Sequence, residues 1–324
     1  MQYRPLGRTG VQVSSLCFGV MSFGGDADEA TSAAMYTRCR DAGINFFDCA
    51  NVYSRGRAEE ILGRRIAGHR DELVITSKVG GRMREGANGD GLARRHILRE
   101  AEESLRRLQT DHIDVYFVHR FDEATPMAET LAALDTLVQQ GKILYPAVSN
   151  WAAWQIATAL GLSALNHWAR FAVMQPMYNL VKRQAEVELL PLAAAAGLGA
   201  IPYSPLGGGL LTGKYGKATR PEQGRLVENT MYQKRYGDEM HYTVADDFSD
   251  YARSRGYHPA TLAVAWVMAH PAVTAPIIGA RNLDQLVASL AAADVAMTPE
   301  WRAEITALSV EPAVATDRSE ERMI

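Results

Sequence analysis

Four side chains in this sequence form a set that could move a proton to or from an oxygen atom. Asp48 closes the run FFD, Tyr53 follows it by five residues, Lys78 ends LVITSK and His119 ends IDVYFVH. Taken singly, three of them have ordinary structural explanations: aspartate as a turn former, tyrosine as packing, histidine as a partly buried polar group. Lys78 resists such an explanation, because an ammonium at the end of an apolar strand needs a partner. Together they have a chemical logic. A free phenol titrates near about 10 and is a poor acid or base at neutrality. An adjacent ammonium favours phenolate and lowers that value by roughly one to three units. A carboxylate holds the ammonium charged and in place, and an imidazole can donate a hydrogen bond to a substrate carbonyl oxygen. The set supplies proton transfer but no nucleophile, so the hydride of a carbonyl reduction has to come from a cofactor.

The elements that must carry these groups are short β-type runs alternating with longer helical patterns. Strands are predicted at Ser15–Phe18, Asn45–Cys49, Leu73–Val79, Ile113–His119, Ile143–Ser149, Phe171–Pro176, Gly199–Ser204 and Val273–Ile278. Several are nearly continuous apolar stretches, as expected of strands buried on both faces of a parallel sheet. Arg94–Leu108 and Met127–Val138 place apolar residues at helical spacing, and Gly43, Gly141 and Gly197 mark helix ends just before strands. Eight such units predict a (β/α)₈ barrel, with a doubly wound sheet as the competitor. Dividing 324 residues by eight leaves about 40 per unit, enough for a βα pair with loop insertions. A small hairpin is expected over Tyr3–Ser14, a long polar loop over Tyr215–Asp247 and a mobile tail over Glu311–Ile324. The whole chain, 1–324, then forms one barrel domain. In parallel α/β folds the site gathers at the carboxyl ends of the strands, where Asp48, Lys78 and His119 all fall.

Composition narrows the function classes. With 34 Lys plus Arg against 37 Asp plus Glu, the net charge of −3 creates no field that would drive binding to nucleic acid or an anionic membrane. Three cysteines are too few for a disulfide framework and point to a reduced, cytoplasmic setting. The amino end carries no signal-peptide pattern. Leu189–Leu211 has no charged side chain, but its three prolines and five glycines break it into a short helix, a strand and a loop rather than a membrane span. Gly208–Lys214 (GGLLTGK) imitates a phosphate-binding P-loop, yet Tyr215 stands where Mg²⁺ binding needs Ser or Thr. The histidines show no metal-ligand spacing, and no metal site is expected.

Asp48, Tyr53, Lys78 and His119, set in FFDCANVY, ITSKV and DVYFVHR, resemble the catalytic tetrad of the aldo-keto reductases. The resemblance runs from RPLGRTGVQVS at residues 4–14, through YSPLGGGLLTGKY at 203–215, to IIGARNLDQL at 277–286. It implies a (β/α)₈ barrel that binds NADPH, with NADH as the alternative, and reduces an aldehyde or ketone reversibly. By that resemblance Tyr53 is the general acid, Lys78 and Asp48 assist it, and His119 orients the carbonyl. Val20 and Met21 would line the nicotinamide side, and Ser149, Asn150 and Gln175 would hold its carboxamide. Tyr203 would stack on the nicotinamide ring. Ser204, Pro205, Leu206, Gly207 and Gly208, with Lys214, would surround the pyrophosphate. Gly279, Arg281 and Gln285 would meet the adenosine phosphate, Arg281 supplying the charge that favours NADPH. The chain departs from the family pattern at Ala288 and Ser289, where Glu-Asn often contacts adenine, and at Gln285, where one branch has arginine.

The partner is thus a small carbonyl or alcohol substrate, and the oligomeric state is left open. Substrate choice is expected from loops Gly81–Gly91, Arg120–Thr125, the region after Trp151 and Tyr215–Asp247. The arginines of the first loop hint at an anionic or polyhydroxylated ligand, and Trp151 is expected near the rim. A regulatory protein that binds the cofactor with little turnover is the rival reading. The potassium-channel β subunits of the same family illustrate it.

Overall fold

The computed structural model describes residues 1–316. Strands β1 (Tyr3–Pro5) and β2 (Gln12–Ser14) form an antiparallel hairpin. The chain then alternates strands and helices. β3 (Cys17–Gly19) leads to α1 (Glu29–Asp41), β4 (Phe46–Asp48) to α2 (Arg57–Ile66), and β5 (Val74–Val79) to α3 (Arg94–Leu108). β6 (Ile113–Val118) leads to α4 (Met127–Gln139), β7 (Ile143–Ser149) to α5 (Ala153–Asn166), and β8 (Val173–Gln175) to α6 (Leu189–Ala196). After β9 (Gly199–Ala200) come α7 (Arg225–Glu228), α8 (Thr230–Tyr236), α9 (Glu239–Ser254) and α10 (Pro259–Met268). β10 (Ile277–Ile278), α11 (Leu283–Leu290) and α12 (Pro299–Thr306) complete the described chain.

Eight strands pair in parallel in the order β10-β3-β4-β5-β6-β7-β8-β9. The circle closes through Ala200 and Val273, with Thr274 N donating to Ala200 O at 2.8 Å and Ile277 N to Pro202 O at 2.9 Å. This is the (β/α)₈ barrel. All eight predicted strands fall on it, but the last ladders are shorter than expected. Pro176 and Pro202 have no N–H to contribute, so regular pairing stops at Gln175 and Ala200.

Strand alternation decides what reaches the site. One apolar cluster fills the barrel with Cys17, Phe46, Val74, Val115, Phe117, Ala147, Val173, Ile201 and Ile277. Their neighbours Phe18, Phe47, Ile75, Tyr116, Val148 and Met174 pack outward under the helices. Because inward residues recur every second position, the next ones at the carboxyl rim are Asp48, Lys78, His119, Ser149, Gln175, Tyr203 and Gly279. The opposite mouth is stoppered by Leu6 and Val13 of the hairpin, which join the interior cluster. The hairpin sits close: Gly7, at φ +57°, lies where an added Cβ would come within 2.5 Å of Gly199 N.

One expectation about a segment needs correction. Tyr215–Asp247 is not one long loop. Only its first part is irregular, and α7, α8 and the start of α9 occupy the rest. Asn229 and Asp238 cap α8 and α9 with their side chains, and Tyr232, Tyr236 and Tyr242 are buried, which repays the ordering of a polar sequence. The P-loop-like run adopts a 3₁₀ turn at Gly207–Thr212 with left-handed kinks at Gly208 and Gly209, and no helix follows directly. Leu189–Leu211 does divide into α6, β9 and that turn, and no helix among the described residues is long and apolar enough to cross a membrane. Of the expected mobile tail, residues 311–316 carry no helix or strand, and 317–324 lie outside the described residues.

Candidate active site

Adjacent strands β4, β5 and β6 bring the four proposed residues together. Lys78, fully buried, donates from Nζ to Asp48 Oδ2 at 2.6 Å, to Asp48 Oδ1 at 2.7 Å and to Cys49 O at 2.8 Å. It also reaches Tyr53 Oη at 3.2 Å. Asp48 is saturated from the other side, with Thr76 Oγ1 donating at 2.8 Å and Gln175 Nε2 at 2.9 Å. This is how the barrel tolerates a buried ion pair: every lone pair and proton has a partner. Tyr53 is held by a tight turn. Its N–H donates to Ala50 O at 3.1 Å, and Asn51 N donates to Lys78 O at 3.4 Å. Ser54 and Arg55 then adopt left-handed φ of 47° and 55°, with Ser54 Oγ bonded to Phe23 O at 2.8 Å. Non-glycine residues hold that conformation only when surrounding contacts over-determine it. The His119 ring meets Tyr53 edge-on, with centroids 6.1 Å apart.

The electrostatics differ from the expectation at Tyr53. Burial, not the ammonium, dominates, and pushes the phenol up to about 12; Lys78 only moderates the rise. Tyr53 therefore stays protonated through the neutral range. Burial also opposes the charge on Lys78, but Asp48 and Tyr53 more than offset it, and the amine titrates above its ordinary value. His119 is driven down to about 3 by burial and then by Lys78, so its imidazole is neutral and keeps one N–H to donate.

This depression predicts acid sensitivity. Burial and Arg302 likewise lower His270, to about 4. Between pH 6.5 and 5 the unfolded chain takes up protons on both histidines that the folded chain refuses, so stability falls as pH falls. The loss should be about 1–2 kcal/mol per histidine by pH 5, allowing for partial solvent exposure. Urea midpoints at pH 7 and 5 measure it. His119→Asn should flatten the dependence, and an unchanged slope would refute this account.

Tyr53 and His119 stand at one end of a cavity of about 740 Å³ that runs over the strand ends to α11. Asp48, Met21, Ser149, Asn150, Gln175, Tyr203, Ser204, Pro205, Leu206, Gly208, Lys214, Gly279, Arg281 and Gln285 line it, as do Tyr53 and His119 themselves. Three predicted residues do not. Lys78 lies behind Tyr53, Val20 is fully buried in the core packed outside the strands, and Gly207 is buried facing Leu210 and Tyr236. Polar groups at the rim form a chain: Tyr203 Oη donates to Asn150 Oδ1 at 2.8 Å, and Asn150 Nδ2 donates to His119 O at 2.9 Å and Ser149 Oγ at 3.0 Å.

At the far end Lys214, Arg225 and Arg281 gather. Burial lowers the Lys214 amine, and the two arginines lower it further. Asp26 lies 3.0 Å from Arg281 Nε and 3.8 Å from Arg225, and Glu228 acts on Lys214 in the opposite sense to the arginines. Three cations clustered against these carboxylates leave this end of the cavity with the charge an anion would need. Beside them Arg281 N donates to Gln285 Oε1 at 3.1 Å, and Asp284 and Gln285 of α11 line the cavity. An elongated space with an aromatic and amides at one end and cations at the other fits a dinucleotide. Ala288 lines the cavity, whereas Ser289 is fully buried with no partner for its hydroxyl, so only the former faces a ligand.

Arg225, Met231, Tyr232 and Arg235, none of them singled out by sequence, line the cavity and lie in the Tyr215–Asp247 segment expected to set substrate choice. The capping residues Asn229 and Asp238 were the available signal. None of Gly81–Gly91 or Arg120–Thr125 lines it, and Arg82 and Arg84 are engaged with Asp90 and Glu100, so the charge of that loop is met locally. Trp151 does not reach the cavity either. It is 4% exposed, packed edge-on between Phe121 and Phe171.

Residues 15–310 match the family model of the aldo/keto reductase family, and the chain belongs to that family. It is an oxidoreductase of the aldo/keto reductase type. Over 311 residues it is 38% identical to the uncharacterized oxidoreductase YrpG of Bacillus subtilis, covering 93% of each chain. It is also 38% identical over 317 residues to a probable voltage-gated potassium channel subunit beta of Oryza sativa, covering 93% of this chain and 94% of the other. With versiconal hemiacetal acetate reductase of Aspergillus parasiticus it shares 31% identity over 326 residues, covering 93% of this chain and 94% of the other.

Proposed function

We propose that the chain, acting as one barrel domain, reduces an aldehyde or ketone to an alcohol with NADPH, and that the reaction is reversible. The observation that carries this reading is the Tyr53 hydroxyl 3.2 Å from Lys78 of the buried Lys78–Asp48 pair, at the end of a cavity whose other end holds three clustered cations. The nicotinamide supplies hydride to the carbonyl carbon when bound. Gln175, Asn150 and Ser149 would hold its amide, Tyr203 its ring, and Lys214, Arg225 and Arg281 its phosphates. Arg281 favours NADPH over NADH, because its guanidinium can meet a 2′-phosphate.

The protein does the rest. Neutral His119 donates a hydrogen bond to the carbonyl oxygen and orients it beside Tyr53. Tyr53 gives its proton to that oxygen as charge develops there, and the Lys78 ammonium at 3.2 Å stabilises the phenolate left behind. Asp48 keeps that ammonium charged. With the phenol near 12, reduction should show no alkaline loss from Tyr53 below about pH 9. The buried thiols Cys17, Cys39 and Cys49 support a reducing, cytoplasmic setting.

The similarity to a probable potassium channel subunit beta supports a second reading, a nucleotide-binding regulatory protein with little turnover. NADPH titration by fluorescence, followed by NADPH oxidation with a panel of aldehydes and ketones, separates the two. Binding with turnover is expected; binding without turnover on any carbonyl would favour the regulatory reading.

A further inference from the structure

Helix α8 brings to the Tyr203 end of the cavity a cation with no carboxylate in salt-bridge range among the described residues. It is anchored there by two tyrosines. Asn179 Nδ2 donates to Tyr236 Oη at 3.1 Å and to Ser204 O at 2.9 Å, tying α8 to the loop after β9. Tyr232 lies so close over Gly208 that a Cβ there would come within 2.6 Å of its ring. Met231 and Arg235, one helical turn apart, thereby share the cavity wall with Tyr232.

Arg235 shares the Tyr232 ring with Arg225, their guanidinium carbons 5.5 Å and 5.6 Å from its centre, but Arg225 also faces Asp26. Arg225 and Arg281 pair with Asp26, and both act on Lys214. Arg235 instead lies near Tyr203, whose phenol is raised by burial and drawn back by this guanidinium. Tyr203 bonds Asn150, and Asn150 bonds the carbonyl of His119, so the wall beside Arg235 is linked to the strand end that carries His119. Its guanidinium sits 5.5 Å from the centre of the Tyr232 ring, and among the described residues it has neither a hydrogen bond nor a salt bridge. A half-buried guanidinium with five donors and no acceptor is a receptor for a planar anion. Met231 and Tyr232 offer apolar surface beside it.

We propose that Arg235 is a specificity-determining residue that pairs with a carboxylate on the substrate, so that the enzyme prefers aldehydes or ketones carrying a carboxylate on an apolar body. The inference rests on the carbonyl-reductase reading and adds the substrate class. The anionic character inferred from the Gly81–Gly91 arginines thus resides on α8.

The test compares 4-carboxybenzaldehyde with its neutral methyl ester, methyl 4-formylbenzoate, at saturating NADPH. The wild-type protein should show a kcat/KM about tenfold to a hundredfold higher for the acid, as expected for one charged hydrogen-bonded contact. That preference should weaken with added salt. Arg235→Met should reduce the acid-to-ester ratio at least about tenfold through a raised KM for the acid, and Arg235→Lys should restore part of it. Equal kcat/KM for acid and ester in the wild type would overturn the proposal while leaving carbonyl reduction intact. So would an Arg235→Met ratio equal to that of the wild type. A selective loss of NADPH affinity in Arg235→Met would overturn it by making Arg235 a cofactor ligand. Absence of turnover on both substrates would refute the carbonyl-reductase reading itself.

Discussion

Replacing Tyr53 by Phe should lower kcat for carbonyl reduction by about 10²–10⁴, the usual contribution of a positioned general acid. The change removes one hydroxyl and leaves the ring in place. Lys78 loses an acceptor at 3.2 Å but keeps both oxygens of Asp48 and the carbonyl of Cys49, so the buried charge remains satisfied. The groups proposed to hold the nucleotide are untouched, and NADPH titration should give a dissociation constant within about threefold of the wild type, less than one charged contact. What is lost is the proton for the developing alkoxide. His119 cannot replace it, because its imidazole is neutral and would have to give up its last N–H proton. Steady-state kinetics with a reactive aldehyde decide the matter. A Tyr53→Phe protein reducing at nearly the wild-type rate would show that the proton comes from elsewhere.

Lys78→Met should be the most destabilising of the site substitutions. Removing the ammonium leaves Asp48, 2% exposed, without its counter-ion at the barrel rim. Breaking a buried ion pair in this way costs about 3–5 kcal/mol, more than the pair contributes relative to an apolar replacement. The asymmetry provides the control. In Asp48→Asn/Lys78→Met the buried carboxylate is gone, and the double variant should recover at least about 1 kcal/mol of the loss. Denaturant midpoints of the two proteins measure this, and a double variant no more stable than Lys78→Met would sink the argument. Both should be poor reductases, because the phenolate form of Tyr53 loses the only cation beside it. The double variant separates that chemical defect from instability.

Much of this site was legible in the residues because a parallel barrel has only one productive rim. Asp48, Lys78 and His119 each end an apolar run, and a polar group in that place is either a helix cap or part of a site. Lys78 was the most informative, since an uncompensated ammonium cannot be buried. The reading failed where local signals were read as composition alone. Tyr215–Asp247 is rich in Gly, Arg and Tyr, yet its helices are set by two capping side chains and by tyrosines that bury against the Gly207–Thr212 turn. Trp151 was misplaced because an aromatic following a strand can turn inward to the rim or outward to the helices. Packing against Phe121 and Phe171 decided for the latter.

The sequence by itself determined the eight barrel strands and which polar residues fall at their carboxyl ends, because period-two patterning and the cost of burying charge are local constraints. Tertiary structure decided three things that no local pattern contains. It balanced burial against Lys78 and left Tyr53 protonated, where spacing alone suggested a depressed phenol. It set Asp26 between Arg225 and Arg281, residues far apart in the chain. It also placed α8 on the cavity wall and left Arg235, among the described residues, without a salt bridge or hydrogen bond. Desolvation, charge pairing and cavity shape are sums over neighbours distant in sequence, and only the closed barrel specifies which neighbours those are.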